Sequence, residues 1–246
     1  MASVARPGNA TVDVWRVRLD HCAEGDIPGY RGILAPDELA RAARFVFDRD
    51  QRRFVVARAA LRQVLAAYLA AAPQHLEFDY GPRGKPALRG RPGSAPLRFN
   101  AAHSEALALV GVANRHDLGI DLEYARPMPD ARSIAERYFT LSERAALGAA
   151  EDGTVPYTFF TYWTRKEAVL KATGDGLSLP LDRVDVGWRC SDSPRRLVVR
   201  DLAGNQHQLS VLDLEVHDGY VAALAIGGTD TWRVRTRTWP DDLLRD

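Results

Sequence analysis

Cysteine is scarce in this chain: 246 residues include two, Cys22 and Cys190. They lie far apart and lack metal-ligand spacing. A disulfide framework or a thiolate metal site is therefore not expected, and the chain suits a reducing cytoplasm. Long apolar runs are missing as well. None reaches the length needed to cross a bilayer, and the segment Met1–Ala10 has no apolar core of the kind a secretion signal needs. Charge of one sign is not in excess either. Lys and Arg total 33 against 32 Asp and Glu, a net charge of +1, so the electrostatic footprint of a nucleic-acid binder is absent. Basic and aromatic residues do not interleave along one surface. The expectation is a cytoplasmic protein with no nucleic-acid partner and no membrane partner.

Lysine is the rarest of the common cations here. Only Lys85, Lys166 and Lys171 occur among the 33 positive side chains; the rest are Arg. Lysine is a compact, flexible point charge and arginine a planar fork, so a site can require one over the other. Lys166 and Lys171 both fall in Trp163-Thr164-Arg165-Lys166-Glu167-Ala168-Val169-Leu170-Lys171, whose spacing predicts the end of a helix stopped by Gly174 and Gly176. Glu167 and Lys171 are four apart and share a face. In isolation that is an ordinary surface pair.

A second acidic motif changes the reading. Gly119-Ile120-Asp121-Leu122-Glu123 predicts a short strand with Asp121 and Glu123 on one side and Ile120 and Leu122 on the other. Adjacent carboxylates repel unless a cation neutralises them. Hard divalent ions such as Mg²⁺ take carboxylate and phosphate oxygens. If Glu167 faces the same point, three carboxylates and an ammonium group suit phosphoryl chemistry.

With 46% hydrophobic residues there is material for a sizeable core. The predicted order is a strand at 12–20, helices from Ala35 and over 50–72, strands at 76–80, 97–104 and 106–113, and the carboxylate strand. Helices follow at 130–139, 141–150 and 156–173. Strands then come at 184–188, 197–201, 208–215 and 220–226, with an Arg-bearing edge strand at 231–239. Thr140-Leu141-Ser142-Glu143 has capping-box spacing. Seven arginines lie within 41–62, most of them expected on a solvated helix face. His103 is placed in a turn after the strand at 97, where a phosphate contact is possible. The pattern gives two α+β halves with a site between them.

Four motifs carry a family resemblance: Gly84-Lys85-Pro86, Phe99-Asn100-Ala101-Ala102-His103-Ser104, Gly119-Ile120-Asp121-Leu122-Glu123, and Trp163 to Lys171 followed by Gly174-Asp175-Gly176-Leu177. In type and order, over about residues 40–180, the chain resembles the 4′-phosphopantetheinyl transferases of the monomeric, two-half, surfactin-synthetase-activating type. The resemblance implies an α+β pseudo-twofold tandem of two similar halves. Each half is a small antiparallel sheet packed with helices, and the active site lies in the cleft between them. Residues 1–117 form the half that contacts coenzyme A, and 118–246 the half with the metal and catalytic motifs. It implies Mg²⁺-dependent transfer of 4′-phosphopantetheine from coenzyme A to a serine of an apo acyl or peptidyl carrier protein, releasing adenosine 3′,5′-bisphosphate. Metal ligands would be Asp121, Glu123 and Glu167. Catalytic residues would be Glu167, as base, and Lys171, on the pyrophosphate. Coenzyme A contacts would come from Lys85, His103, Arg41, Arg53 and Lys171. Where the family usually has Ser, this chain has Ala102, so a hydroxyl contact is expected to be lost. A chain holding both halves is expected to act as a monomer. A Mg²⁺-dependent phosphoesterase and an inactive coenzyme A-binding protein are the competing readings.

Overall fold

The computed structural model describes residues 3–81, 84–89, 97–174, 179–188, 194–200, 204–228 and 231–243. Pro82 and Arg83, most of the 89–96 loop, Asp175-Gly176-Leu177, Cys190 and Asp201 lie outside the described residues.

The first half begins with β1 (Thr11–Arg18), short helices α1 (Ile27–Gly32) and α2 (Pro36–Ala42), and the long α3 (Asp48–Leu69). A small hairpin of β2 (Phe78–Tyr80) and β3 (Pro86–Leu88) follows, then β4 (Arg98–Ser104) and β5 (Leu107–Ala113). The second half holds β6 (Leu118–Tyr124), α4 (Ala131–Tyr138), α5 (Leu141–Ala149), α6 (Val155–Thr173), β7 (Arg195–Arg200), β8 (Gln206–Asp213) and β9 (Tyr220–Gly227). The chain then returns to the first half as β10 (Arg233–Trp239). Two four-stranded sheets result, in the orders β10-β1-β5-β4 and β6-β9-β8-β7. The fold is α+β, a tandem of two sheet-and-helix halves.

Both faces of the first sheet are buried. Trp15, Val17 and Val110 pack under α3 with Val56, Val64 and Leu65. Val12, Val14 and Leu109 point the other way and meet Leu118, Ile120, Leu122, Leu224 and Ile226 of the second sheet. This apolar layer joins the halves. Beyond it, Phe139, Phe159, Val169 and Ala223 form the core under α6.

The edge strand expected from the tail is present, but it runs parallel to β1 rather than antiparallel. Its arginines are also not simply solvated. Arg235 places Nε and Nη2 each 2.7 Å from the fully buried Asp13, and Arg237 lies 3.8 Å from the same carboxylate. Tyr68 donates to it as well. The arginine-rich helix shows the same pattern. Arg58 and Arg62 are bound to Glu38, itself 3% exposed, and Arg62 also donates to the Pro73 and Leu76 carbonyls.

One predicted strand is missing: residues 184–188 are irregular. Their backbone groups go to side chains instead of a ladder. The Val184 carbonyl accepts from Lys166, those of Val186 and Trp188 from Arg165, and the Val186 amide donates to Glu143. Lys166 and Glu143 are both fully buried and 2.8 Å apart. The predicted capping box is formed, with the Thr140 amide donating to Glu143 at 2.8 Å. Glu143 therefore caps α5, neutralises Lys166 and anchors the segment after α6.

The halves' long helices stop on left-handed residues, Ala70 after α3 and Gly174 after α6. A different glycine fixes how close α6 can come to its sheet. A Cβ on Gly119 would sit 2.1 Å from the Ala168 carbonyl oxygen and 2.4 Å from the Ala172 nitrogen. These are backbone atoms that cannot swing aside. We expect Gly119→Ala to cost about 3 kcal/mol or more in urea denaturation, whereas Gly227→Ala, whose Cβ meets nothing closer than 3.5 Å, costs under about 1 kcal/mol. Equal losses would contradict the close-approach argument. Lys166→Met, which leaves Glu143 buried and unpaired, should cost about 3–5 kcal/mol. The Lys166→Met/Glu143→Gln double variant should lose less than the sum of the two single changes.

Candidate active site

The site grows from β6, an outer strand of its sheet. On one edge it pairs with β9, through Gly119–Ala225, Asp121–Ala223 and Glu123–Val221 among others. Among the described residues no strand is hydrogen-bonded along the opposite edge, and its backbone donors and acceptors need partners. Side chains supply them. The Ile120 amide donates to Asn100 Oδ1 at 2.9 Å, and the Tyr124 amide to Ser104 Oγ at 3.1 Å. The Leu118 carbonyl accepts from Lys85 Nζ at 3.2 Å, and the Ile120 carbonyl from Lys171 Nζ at 3.1 Å. Four residues of the sequence motifs thus take the place of a neighbouring strand.

Alternation then sorts the side chains. Leu118, Ile120 and Leu122 are buried in the layer between the halves. Gly119, Asp121 and Glu123 take the other face, where Gly119 lies against α6. Asp121, 6% exposed, receives Lys171 Nζ on Oδ1 at 2.7 Å, while its buried Oδ2 has no hydrogen-bond partner. Glu123 accepts from the Ser104 hydroxyl at 3.0 Å. Glu167 stands on α6 one turn before Lys171, half-buried.

The electrostatics are tense. Burial pushes Asp121 from the ordinary 3.8 up to about 7; Lys171 pulls it down, and Glu123 and Glu167 push it further up. Burial also raises Glu167, offset by Lys171 and reinforced by Glu123. The three carboxylates therefore share one field. Among the described residues, no group of three or more His, Cys, Asp or Glu side chains is placed to hold a metal ion. Yet Asp121 Oδ2 is an orphaned buried oxygen. Carboxylate oxygens of this kind are hard donors, the type that divalent cations take.

A cavity of about 520 Å³ opens beside these groups, lined by Lys85, Pro86, Asn100 and Ala101 from the first half and Tyr138, Trp163, Glu167 and Lys171 from the second. His103 is on β4 rather than in a turn: the hairpin register continues through His103–Ala108 and Ser104–Leu107, and the reversal comes at Glu105, whose φ is +47°. The imidazole lies on the opposite side of β4 from Asn100 and Ser104. Partial desolvation, then the charges of Lys171 and Arg41, hold it below its ordinary 6.5. Arg41 stacks over Phe54 at 5.4 Å and lines a second cavity, of about 480 Å³, with Asp37, Arg44 and Phe45.

Of the residues singled out in the sequence, the structure joins Lys171 to Asp121 and Lys85 to the Lys171 carbonyl, with Glu123 and Glu167 within electrostatic reach of Asp121 and with Arg41 and Lys171 within electrostatic reach of His103. Arg53 is further committed. Its fork is closed on Asp20 at 2.9 and 2.7 Å and touches Glu105 at 3.2 Å. Ala102 is buried between Asn100 and Ser104 in the apolar layer. The roles of Asn100 and Ser104 escaped the sequence reading. Their spacing of four along a strand, which sets both on one face toward a common neighbour, was the available signal.

Known proteins resemble this chain along most of its length. A family described as 4′-phosphopantetheinyl transferase, N-terminal, matches residues 29–115, and the 4′-phosphopantetheinyl transferase superfamily matches residues 117–225. The chain is 40% identical over 228 residues to the 4′-phosphopantetheinyl transferase HetI of Nostoc sp., covering 91% of this chain and 92% of that protein. It is 41% identical over 158 residues to a putative 4′-phosphopantetheinyl transferase of Synechocystis sp., at 64% of each chain. Identity to the 4′-phosphopantetheinyl transferase Sfp of Bacillus subtilis is 27% over 157 residues, 64% of this chain and 67% of the relative. No helix of the described residues is long and apolar enough to cross a membrane. Matched along nine-tenths of its length and carrying a carboxylate–lysine cleft between two tandem halves, the chain belongs to the 4′-phosphopantetheinyl transferase family and is an enzyme of that class.

Proposed function

We propose that this enzyme moves the 4′-phosphopantetheine arm of coenzyme A onto a serine of an apo acyl or peptidyl carrier protein, releases adenosine 3′,5′-bisphosphate and requires Mg²⁺. The observation that carries the reading is the meeting of Lys171 and the Asp121, Glu123 and Glu167 carboxylates beside a cavity lined by both halves. Residues 1–117 would bind the coenzyme and 118–246 would supply the chemistry, with β10 returning to brace the first sheet. We take the working unit to be a monomer in the cytoplasm.

Asp121 through Oδ2, Glu123 and Glu167 would hold Mg²⁺, which when bound supplies positive charge against the pyrophosphate oxygens. Lys171, fixed by Asp121 and the Ile120 carbonyl, adds a second positive charge at the same place. His103 and Arg41 would meet the remaining phosphate, with Arg53 behind them holding the β4–β5 turn through Glu105. The carrier serine Oγ attacks the phosphorus that bears the pantetheine arm. The bond from that phosphorus to the bridging oxygen breaks, and the bridging oxygen leaves on adenosine 3′,5′-bisphosphate. The serine proton passes to Glu167, whose raised affinity for a proton makes it a better base near neutral pH. The half-buried walls of Tyr138, Trp163 and Pro86 shelter the arm from water.

The direct test is intact mass of an apo carrier protein after incubation with the enzyme, coenzyme A and Mg²⁺, with an EDTA control. The expected result is a metal-dependent gain of one phosphopantetheine on the carrier. Breakdown of coenzyme A with no gain on the carrier would make the protein a phosphoesterase, and binding without turnover an inactive relative. Glu167→Ala should cut turnover by about 10² or more with an unchanged melting temperature; near-normal turnover would remove the base from the scheme.

A second test needs no substrate. The folded Asp121 pKa of about 7 lies above its ordinary 3.8. Between those values the folded state holds the extra proton, so stability falls as pH rises through that window. Asp121→Asn should flatten the slope of denaturation free energy against pH, and Mg²⁺ should flatten it in the wild type by favouring the ionised carboxylate. A slope that persists in the Asn variant would assign the titration to another group.

A further inference from the structure

Lys85 sits where the hairpin turns back toward β3. The turn is tied by the Gly84 amide donating to the Gly81 carbonyl at 2.8 Å and by the Gly81 amide donating to the Lys85 carbonyl at 3.0 Å, and Gly84 takes a φ of +77°. The ammonium group that this turn presents donates to the Leu118 carbonyl of β6 at 3.2 Å and to the Lys171 carbonyl in the last turn of α6. Carbonyls in a helix's last turn lack partners within the helix and sit at its negative end, so a cation there is favourable. Leu118 directly precedes Gly119, a point where β6 rests on the backbone of α6. Lys171 repeats the arrangement two residues on, bridging from α6 to the Ile120 carbonyl and Asp121. The two ammonium groups therefore bracket the Gly119 contact.

We infer that Lys85 is a positioning residue: it clamps the end of α6 to β6 and so sets the register in which Lys171 and Glu167 face Asp121 and Glu123, rather than serving mainly as a ligand for the coenzyme's phosphates. Two of its three N–H groups are spent on carbonyls of two different elements. A compact ammonium reaches both from one point; a guanidinium, which elsewhere in this chain also spans two carbonyls, is a larger planar fork and would have to spread this pair apart to fit the same place. The chain's use of lysine agrees. Arg is preferred almost everywhere, yet each of the three lysines donates to backbone carbonyls of another segment: Lys85 to Leu118 and Lys171, Lys166 to Leu181 and Val184, and Lys171 to Ile120. The hairpin bearing Lys85 belongs to neither four-stranded sheet, so the clamp can be released with both cores intact.

This role deepens the transferase reading and rests on it for its kinetic test alone. Lys85→Met and Lys85→Arg would be compared with the wild-type protein. In hydrogen exchange of the protein alone, segments 118–124 and 168–174 should exchange about tenfold faster in both variants, with other segments unchanged. In the carrier assay, kcat should fall about tenfold while KM for coenzyme A stays within about twofold. The Arg variant should not rescue, although it keeps the charge. Wild-type exchange in both segments would overturn the clamp. So would a tenfold rise in KM at constant kcat, or full rescue by Arg, each of which marks a phosphate ligand. If the wild type transfers nothing, the proposed function fails, and the exchange measurement still decides the clamp.

Discussion

An unpaired strand edge is the constraint on which this structure depends. β6 ends its sheet, and its outer amides and carbonyls would be costly to bury without partners. Among the described residues no further strand pairs there. Asn100, Ser104, Lys85 and Lys171 each form a hydrogen bond with β6, and they come from three directions: the first two from β4, one from the hairpin and one from α6. Because those bonds fix β6 against all three elements at once, they also fix Asp121 and Glu123, which ride on its other face. Both halves contribute to the edge, so the site can form only when the halves are joined.

The same logic runs through the rest of the buried charge. Asp13 is answered by Arg235 and Arg237 from the last strand, Glu38 by Arg58 and Arg62, and Glu143 by Lys166. In each case an acid inside one element is neutralised by cations from another, and removing either partner would leave an uncompensated charge. Asp121 is the exception. It has one cation, Lys171, on one oxygen, and two further carboxylates nearby that raise its proton affinity. Structural carboxylates here are over-supplied with donors; this one is left short. An ionisable group held away from its ordinary pKa beside a cavity is where function is expected.

Much of this was legible in the sequence because it is written in local periodicity. The alternation in Gly119–Glu123 separates the carboxylates from Ile120 and Leu122, the i, i+4 spacing sets Glu167 within electrostatic reach of Lys171, and Thr140 with Glu143 announces a cap; the structure has all three arrangements. What alternation cannot show is where a backbone finds its partners across the fold. Residues 184–188 have strand composition, yet their amides and carbonyls are taken by Glu143, Lys166 and Arg165 from two helices. Arg58 and Arg62 of α3 looked solvated because Glu38, their counter-ion, is twenty and twenty-four residues away. β10 read correctly as an edge, but only the fold reveals that it completes the first sheet through Asp13.

Gly119 links these observations to chemistry. Asp121 can reach Lys171 at 2.7 Å only if β6 and α6 lie closer than side chains normally allow, and a single missing Cβ permits it. Close approach alone would still let the helix slide along the strand. Sliding by even one residue would move Glu167 by about 1.5 Å along the axis and rotate it by about 100° away from the carboxylates. The carbonyls on either side of Gly119, each held by a lysine, forbid that slide. The glycine sets the distance and the two ammonium groups set the register. Together they hold three like charges and one unlike charge in a geometry that none of the four would adopt unaided.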